Sequence, residues 1–210
     1  MRPRFGGAFF MDRRTFIERA LKAARKARDA GAPIVPEIAA AQAALESRYG
    51  RSLLARRANN LFGIKAGRTW QGPTTNLLTR EFDPETGWRA VVARWRKYPD
   101  WAACFKDYGS IISRLPWYAD AAEAARRGDA RGFLKGLLAR PEVGEPGWAT
   151  DPDYEAKVLA IAEAWDLLEP EAEPQHLPVK RFFLDGAEKP LDAASVVGVK
   201  LYVRTRRPAE

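Results

Sequence analysis

The chain of 210 residues contains one cysteine and one histidine. Cys104 therefore has no partner for an internal disulfide, and His176 stands alone in a stretch rich in proline and glutamate. A zinc hydrolase needs two or three His or Cys ligands, and a nucleophilic cysteine needs a neighbouring base. Both classes are excluded, and no metal or cofactor is expected. Any chemistry would depend on the 27 aspartates and glutamates.

Long apolar runs are also lacking. No stretch of 18 or more apolar residues occurs, so no membrane span is predicted. Residues 1–11 form an N-terminal extension with arginines but without the apolar core of a secretory signal. We therefore expect synthesis in the cytoplasm without a cleavable leader. The hydrophobic share of 46% is enough for a core, and the charged share of 30% indicates a water-exposed surface.

The net charge of +8 predicts an anionic partner. Nucleic acid and the bacterial cell wall both fit this charge, but no base-reading motif is present, so nucleic acid is not expected. The arginines are scattered among helical apolar positions, which is more typical of a solvated face than of a binding stripe. Abundant arginine with little Asn and Gln fits a thermostable protein and equally a GC-rich genome.

Apolar periodicity predicts a mainly α-helical domain over residues 12–168 with one β-hairpin. Helices are expected over 12–30, 34–49, 100–114, 118–127, 129–139 and 151–168, and strand alternation indicates a hairpin over 75–98. Three prolines make residues 169–178 a linker. Residues 179–210 are predicted to be a small β-rich segment, too short to fold alone, which packs on the main domain or self-associates with another copy.

Glu46 lies in the last turn of the second predicted helix, one turn after Gln42. The negative end of the helix dipole and desolvation by small neighbours such as Ala43 both raise the pKa of a carboxyl group there. A general acid near neutral pH needs such a raised pKa. Spacing alone fits an exposed glutamate paired with Arg48 or Arg51 at least as well.

A second carboxylate is expected on the hairpin, since glycoside cleavage commonly uses two carboxylates across the sugar. Alternation places Glu81 on one strand face with Leu77 and Thr79. Asp83 or Glu85 could fill its place, and Glu81 could also be an ordinary solvated residue.

Loop aromatics offer a further signal, because aromatic faces stack on sugar rings. Trp148 lies beside a predicted loop, although loop tryptophans are as often simple packing. Tyr154 follows the sequence Asp151-Pro152 in the predicted first turn of a helix, from which its hydroxyl could reach a groove.

Five segments in one order point to a family: QAALESRYGRS (42–52), NNLFGIK (59–65), TREF (79–82), RKYPDWAACFKDYG (96–109) and WATDPDYEAKV (148–158). Together they resemble the peptidoglycan endo-β-N-acetylglucosaminidases of the flagellar-muramidase and autolysin type, glycoside hydrolase family 73. The resemblance covers residues 12–168. It implies a lysozyme-like helical domain with a β-hairpin wall, and peptidoglycan glycan strands as the substrate.

The resemblance also implies roles. Glu46 matches the catalytic acid, Glu81 the hairpin carboxylate, and Tyr154 the tyrosine of the A-T-D-P-x-Y motif. Arg48 departs from the pattern, because many members have glycine or a small residue there; a longer side chain would narrow the groove or bind wall carboxylates. The expected substrate-binding residues are Gln42, Asn60, Phe62, Gly63, Lys65, Tyr98 and Trp148.

The predicted function is hydrolysis of the β-1,4 bond after N-acetylglucosamine in cell-wall glycan strands. The alternatives are a lytic transglycosylase and a non-catalytic wall-binding or virion structural protein. A phage endolysin that acts on the host cell wall is the expected biological setting.

Overall fold

The computed structural model describes residues 11–83, 87–139 and 147–168, excepting the side chains at 80–83 and 88. Within these ranges the elements are α1 (Arg13–Asp29), α2 (Pro36–Ser47), α3 (Leu53–Ala58), β1 (Thr74–Asp83), β2 (Gly87–Arg96), α4 (Trp101–Arg114), a 3-10 turn (Pro116–Tyr118), α5 (Ala119–Arg126), α6 (Ala130–Leu138) and α7 (Tyr154–Ala164). The predicted helical domain with one hairpin is confirmed. The predicted linker and β-rich segment lie outside the described residues, as does nearly all of the N-terminal extension.

Helix α2 lies at the centre because its side chains are small. Its run from Ile38 to Ala44 is buried throughout, and α1, α6 and α7 all pack against it. Methyl side chains allow neighbouring helices to approach closely. The C-terminal end of α2 is different, since Leu45 is half-buried and Glu46 is exposed. The core helix therefore brings its last turn to the surface.

Aspartate caps fix the start of several helices. Asp100 accepts the Ala103 N–H at 2.8 Å ahead of α4, and Asp129 accepts the Gly132 N–H at 2.8 Å ahead of α6. These residues open the helices predicted over 100–114 and 129–139, and a short carboxylate satisfies a backbone donor left free at the first turn. These helix starts are thus confirmed.

The last helix was expected over 151–168 with Asp151 as its N-cap, and its cap lies two residues later. Helix α7 begins at Tyr154 with Asp153 at its N-cap. Asp151 instead accepts the Asp153 N–H at 3.0 Å and pairs with Lys157 at 2.6 Å. Its carboxylate closes a turn before the helix, a common competing use of aspartate. Tyr154 remains in the first helical turn, as expected.

The turn after α2 is tighter than the sequence suggests. The helix was expected to run to residue 49, but it ends at Ser47, and Arg48, Tyr49 and Gly50 follow with φ of 54°, 55° and 73°. Gly50 is required here, because a Cβ atom would lie 3.0 Å from the Phe16 ring. Helix α3, which starts directly after this turn, was not predicted.

The hairpin pairs β1 with β2 in antiparallel register from Thr74 opposite Arg96 to Asp83 opposite Gly87. One face is open to solvent, with Leu78 and Val92 73% and 69% exposed. The other face, which includes Leu77 and Thr79, is half-buried. The predicted alternation of β1 is therefore confirmed over its described side chains, from Thr74 to Thr79.

The core of the described domain joins aromatic residues of α1 and α4 to aliphatic residues of α2 and α6. None of the helices in the described ranges combines the length and the apolar character that crossing a bilayer requires.

Candidate active site

Glu46 and Tyr154 meet where the end of α2 faces the start of α7. The Tyr154 hydroxyl donates a hydrogen bond of 2.8 Å to Oε1 of Glu46. Glu46 is exposed, so its carboxyl group is open to a ligand on one side and held by protein on the other. The expected pairing of Glu46 with Arg48 or Arg51 does not occur among the described residues.

A chain of oriented hydrogen bonds stands behind this contact. Nε2 of Gln42 donates to the Tyr154 hydroxyl at 3.3 Å, and the Tyr108 hydroxyl donates to Oε1 of Gln42 at 2.7 Å. Gln42 and Tyr108 are completely buried. Since the Gln42 amide occupies the acceptor side of Tyr154, the tyrosine proton points at Glu46. Gln42 thus orients the site from beneath and does not reach the groove.

The pKa of Glu46 is raised above its ordinary value of 4.5. Desolvation by the surrounding protein is the main cause, and hydrogen bonds from Tyr154 and Trp148 act in the opposite direction. The pKa of the Tyr154 phenol is raised as well, mainly by burial and then by the negative charge of Glu46. Its hydroxyl therefore remains a donor. The raised pKa of Glu46 was predicted, and desolvation accounts for it.

An aromatic wall adjoins the carboxyl group. Phe62 stacks on Tyr108 with ring centroids 4.3 Å apart and planes 13° from parallel. Trp148 meets Tyr108 edge-to-face at 4.7 Å and lies 6.4 Å from Tyr118. Phe62 is buried, whereas Trp148 is half-exposed. Trp148 is thus the member of this wall that can offer a face to a sugar, and Phe62 supports it from behind.

Two residues expected to bind substrate are placed differently. Asn60 is 1% exposed and closes its own loop: its Nδ2 donates to the carbonyls of Ile64 and Arg96, and its Oδ1 accepts the Ile64 N–H. Tyr98 is 4% exposed and donates to Asp107 at 2.6 Å. Buried side chains with satisfied polar atoms cannot contact a ligand, so the binding role expected for Asn60 and Tyr98 is corrected to a supporting one.

The remaining predicted residues lie along the loop that follows Phe62. Gly63 and Lys65 are exposed, and the Lys65 ammonium lies 5.8 Å from the Trp95 ring centroid, a cation–π distance. The backbone of Lys65 also forms an isolated antiparallel β-bridge with Trp95, which connects this loop to the hairpin. The backbone of Glu81 pairs with Arg89 across the hairpin. Its side chain lies outside the described residues, and so do the side chain of Asp83 and all of Glu85.

Tyr108 is the residue that sequence reasoning missed. It belongs to the quoted segment 96–109, but only Tyr98 of that segment was assigned a role. The available signal was its position on α4, since Cys104, Tyr108 and Ile112 are spaced as one buried helical face.

No three His, Cys, Asp or Glu side chains of the described ranges form a group able to hold a metal ion.

The family model described as mannosyl-glycoprotein endo-beta-N-acetylglucosaminidase matches residues 21–167. The chain belongs to this glucosaminidase family. The resemblance inferred from the five segments is therefore confirmed, and the protein is a member of a family of glycoside hydrolases.

Two relatives of the chain have names that state an activity. Peptidoglycan hydrolase FlgJ of Vibrio parahaemolyticus is 35% identical over 133 residues, covering 62% of this chain and 40% of FlgJ. Exo-glucosaminidase LytG of Bacillus subtilis is 36% identical over 140 residues, covering 64% of this chain and 45% of LytG. The chain thus spans less than half of the length of either relative.

Solved structures of the family have the same fold. The catalytic domain of the autolysin Auto from Listeria monocytogenes matches with a TM-score of 0.62 at 26% identity, covering 77% of this chain and 89% of that one. A C-terminally truncated glycoside hydrolase domain of FlgJ from Salmonella typhimurium matches with a TM-score of 0.58 at 28% identity, covering 75% and 100%.

Proposed function

We propose that the chain hydrolyses the β-1,4 bond after N-acetylglucosamine in the glycan strands of peptidoglycan, with Glu46 as general acid. The observation that carries this proposal is the solvent-open carboxyl group of Glu46, whose raised pKa favours its protonated form. Membership of the glucosaminidase family and the peptidoglycan hydrolases among the relatives support the substrate.

The hydrogen bond from Tyr154 divides the work between the two oxygens of Glu46. Oε1 already accepts the tyrosine proton at 2.8 Å, so the acidic proton is carried on Oε2. Oε2 can then donate to the glycosidic oxygen as the bond breaks. The same tyrosine bond stabilises the carboxylate that remains, because hydrogen bonds to an anion are stronger than those to a neutral acid.

The oxocarbenium-like centre needs a second group. Glu81 lies on β1 opposite Arg89 by its backbone register, and we assign it the role of activating water or stabilising positive charge, as the hairpin carboxylate of the family. Asp83 and Glu85 are alternatives on the same hairpin. A substrate-assisted route through the N-acetyl group, helped by Tyr154, is the third possibility for this step.

The names of two relatives indicate different modes of cleavage. LytG is called an exo-glucosaminidase, whereas a protein of Lactococcus lactis that is 32% identical is called a probable N-acetylmuramidase. Endo-action by this chain is thus part of the proposal. Action on a host cell wall as a phage endolysin, thermostability, leaderless synthesis and self-association through residues 179–210 remain predictions.

Replacement of the acid tests the proposal directly. Glu46→Gln is expected to lower the rate of wall clearing at least ~10²-fold, the usual size of a general-acid contribution, while circular dichroism stays native. Glu37→Gln is the matched control, since Glu37 lies on the same helix and pairs at the surface with Arg25 at 3.2 Å. Clearing by Glu46→Gln at the rate of the control would refute the assignment.

Product analysis separates the rival reactions. Mass spectrometry of digested glycan strands should show a reducing N-acetylglucosamine end. An anhydro-muramic end would instead identify a lytic transglycosylase, and a reducing muramic end a muramidase. Absence of any cleavage by the wild-type chain would favour a non-catalytic wall-binding protein.

A further inference from the structure

A basic groove lies at the C-terminal end of α2, and two of the residues that line it, Leu45 and Arg48, are close to Glu46 in the chain. Its volume is about 580 Å³. Three arginines line this basic groove, Arg13, Arg48 and Arg51. Leu45, Leu53 and Ile161 form its apolar floor. No aspartate or glutamate is among the residues that line it.

The arginines of this groove have no acidic partner among the described residues. Arg13, Arg48 and Arg51 are exposed and form no ion pair with a described carboxylate. By contrast, five other arginines lie within 3.2 Å of a carboxylate oxygen, namely Arg25, Arg28, Arg96, Arg126 and Arg127. The groove therefore gathers three positive charges that no described carboxylate compensates.

The groove is also held in place. Arg48 adopts a left-handed conformation with φ 54° and ψ 50°, which costs conformational free energy for any residue with a Cβ atom. Tyr49 has a similar φ, accepts a hydrogen bond from the Trp165 indole at 3.3 Å, and lies under the Arg13 guanidinium at 4.9 Å. An arginine kept at a strained position, where glycine would be unstrained, suggests a binding role for its side chain.

We propose that the basic groove binds the carboxylates of the peptide stem that hangs from the glycan strand, an inference that rests on the proposed function. Guanidinium groups match carboxylates in charge and geometry. The apolar floor suits the methyl groups of alanyl residues in the stem. A phosphodiester polymer of the wall would match the charge but has no apolar groups for Leu45, Leu53 and Ile161.

The stem can reach from the candidate active site. Glu46 and Arg48 are exposed and Leu45 is half-buried, and Leu45 and Arg48, which line the groove, lie one and two positions from Glu46 in the chain. The Cα atoms of Glu46 and Arg48 are at most about 7.6 Å apart along the chain, and four extended residues span about 13 Å. A stem attached to a sugar beside Glu46 therefore spans the distance.

Binding measurements on the full chain test this inference. The probe is a muramoyl tetrapeptide with free carboxylates, titrated calorimetrically into the Glu46→Gln protein to prevent turnover. Adding Arg48→Gln and Arg51→Gln together should weaken its binding about tenfold, the effect of losing ~1.4 kcal/mol. The control adds Arg126→Gln and Arg127→Gln, which remove the same charge from α5, and its affinity should be unchanged. Equal weakening by the control would overturn the proposal, because general charge attraction would then suffice.

Arg48→Gly separates binding from folding. Glycine relieves the left-handed strain, so the Tm should rise while affinity for the tetrapeptide falls. Affinity equal to that of the parent protein would overturn the proposal. So would tighter binding of poly(glycerol phosphate) than of the tetrapeptide with the same dependence on Arg48 and Arg51, which would assign the groove to phosphodiesters.

Peptide-free substrate distinguishes a failure of this inference from a failure of the proposed function. The Arg48→Gln, Arg51→Gln chain with Glu46 intact should cleave glycan strands stripped of peptide as fast as the wild type, and should show a raised KM only on intact peptidoglycan. If the wild type cleaves neither substrate, the proposed function fails. If the variant loses as much on stripped strands as on intact wall, only the groove inference fails.

Discussion

Two carboxylates of the described residues accept a hydrogen bond from a tyrosine hydroxyl, yet their surroundings differ. Tyr154 donates to Glu46 at 2.8 Å, and Tyr98 donates to Asp107 at 2.6 Å. Asp107 is also bonded through both of its oxygens to one guanidinium nitrogen of Arg96, at 2.9 and 2.7 Å. Glu46 has no cationic partner among the described residues.

The cation, and not the tyrosine, decides what each carboxylate can do. The charge of Asp107 is compensated by Arg96, so the pair forms a fixed link between β2 and α4. Glu46 is desolvated without compensation, and its pKa is raised in consequence. A carboxyl group that holds its proton can transfer it, whereas one locked to a guanidinium cannot do so without breaking a buried contact. Tyr154 bonds a carboxyl group without a described cationic partner, whereas Tyr98 closes a structural ion pair.

The largest expected effect comes from breaking the structural pair. Arg96→Met leaves Asp107 partly buried without its cation; the two side chains are only 11% and 15% exposed. We expect the free energy of unfolding to fall by about 3 kcal/mol, the low end for breaking a buried pair. Urea denaturation measures it. At low temperature, clearing per folded molecule should stay near the wild-type value.

A surface pair provides the control for that prediction. Arg25→Met removes the partner of Glu37, where the side chains are 52% and 23% exposed. Exposed pairs contribute at most about 1 kcal/mol. If Arg96→Met costs no more than Arg25→Met, the distinction between a structural carboxylate and a catalytic one is not supported at Asp107.

Exchanging each tyrosine for phenylalanine should give smaller effects, on the rate at Tyr154 and on stability at Tyr98. Tyr154→Phe should lower kcat about tenfold, since a hydrogen bond to a charged group contributes about 1.5 kcal/mol or more. Because that bond lowers the pKa of Glu46, its loss should also move the alkaline limb of the pH–rate profile to higher pH. Tyr98→Phe should cost about 1.5 kcal/mol of stability and leave the profile unchanged. Identical pH profiles for both variants would contradict the comparison.

The position of Glu46 on its helix could be predicted because it depends on local geometry. Gln42 and Glu46 are one turn apart, so any helix through them places both on one face. Small neighbours of Glu46 predicted the desolvation that raises its pKa. The family resemblance then identified Tyr154, whose helical start shifted by two residues without moving it from the site.

The errors arose where long-range partners decide the direction of a side chain. Asn60 was expected in the groove, but its amide bonds the carbonyl of Arg96, 36 residues later. Tyr98 points at Asp107 rather than at a ligand, and nothing in its local sequence distinguishes the two directions. The left-handed run at Arg48 and Tyr49 could not be predicted either, because residues other than glycine adopt it rarely. Tyr108 contributes through Gln42, which is 66 residues away.

The smallest expected effect is the pH-dependent contribution of Glu46 to the stability of the folded protein. The folded protein raises the pKa of Glu46 above its ordinary 4.5, so the folded state prefers the protonated form more than the unfolded state does. Below that ordinary value both states are protonated and no penalty exists. As pH rises through the folded pKa, the carboxyl group ionises against desolvation, and stability is lost. Glu46→Gln has no charge to lose, so its Tm should equal the wild-type value near pH 4 and exceed it slightly at neutral pH. Calorimetry at several pH values measures the difference, and Glu37→Gln should show no such gain. A wild type that stays as stable as Glu46→Gln at every pH would mean that water compensates Glu46 as fully as Arg96 compensates Asp107, and the contrast between the two carboxylates would disappear.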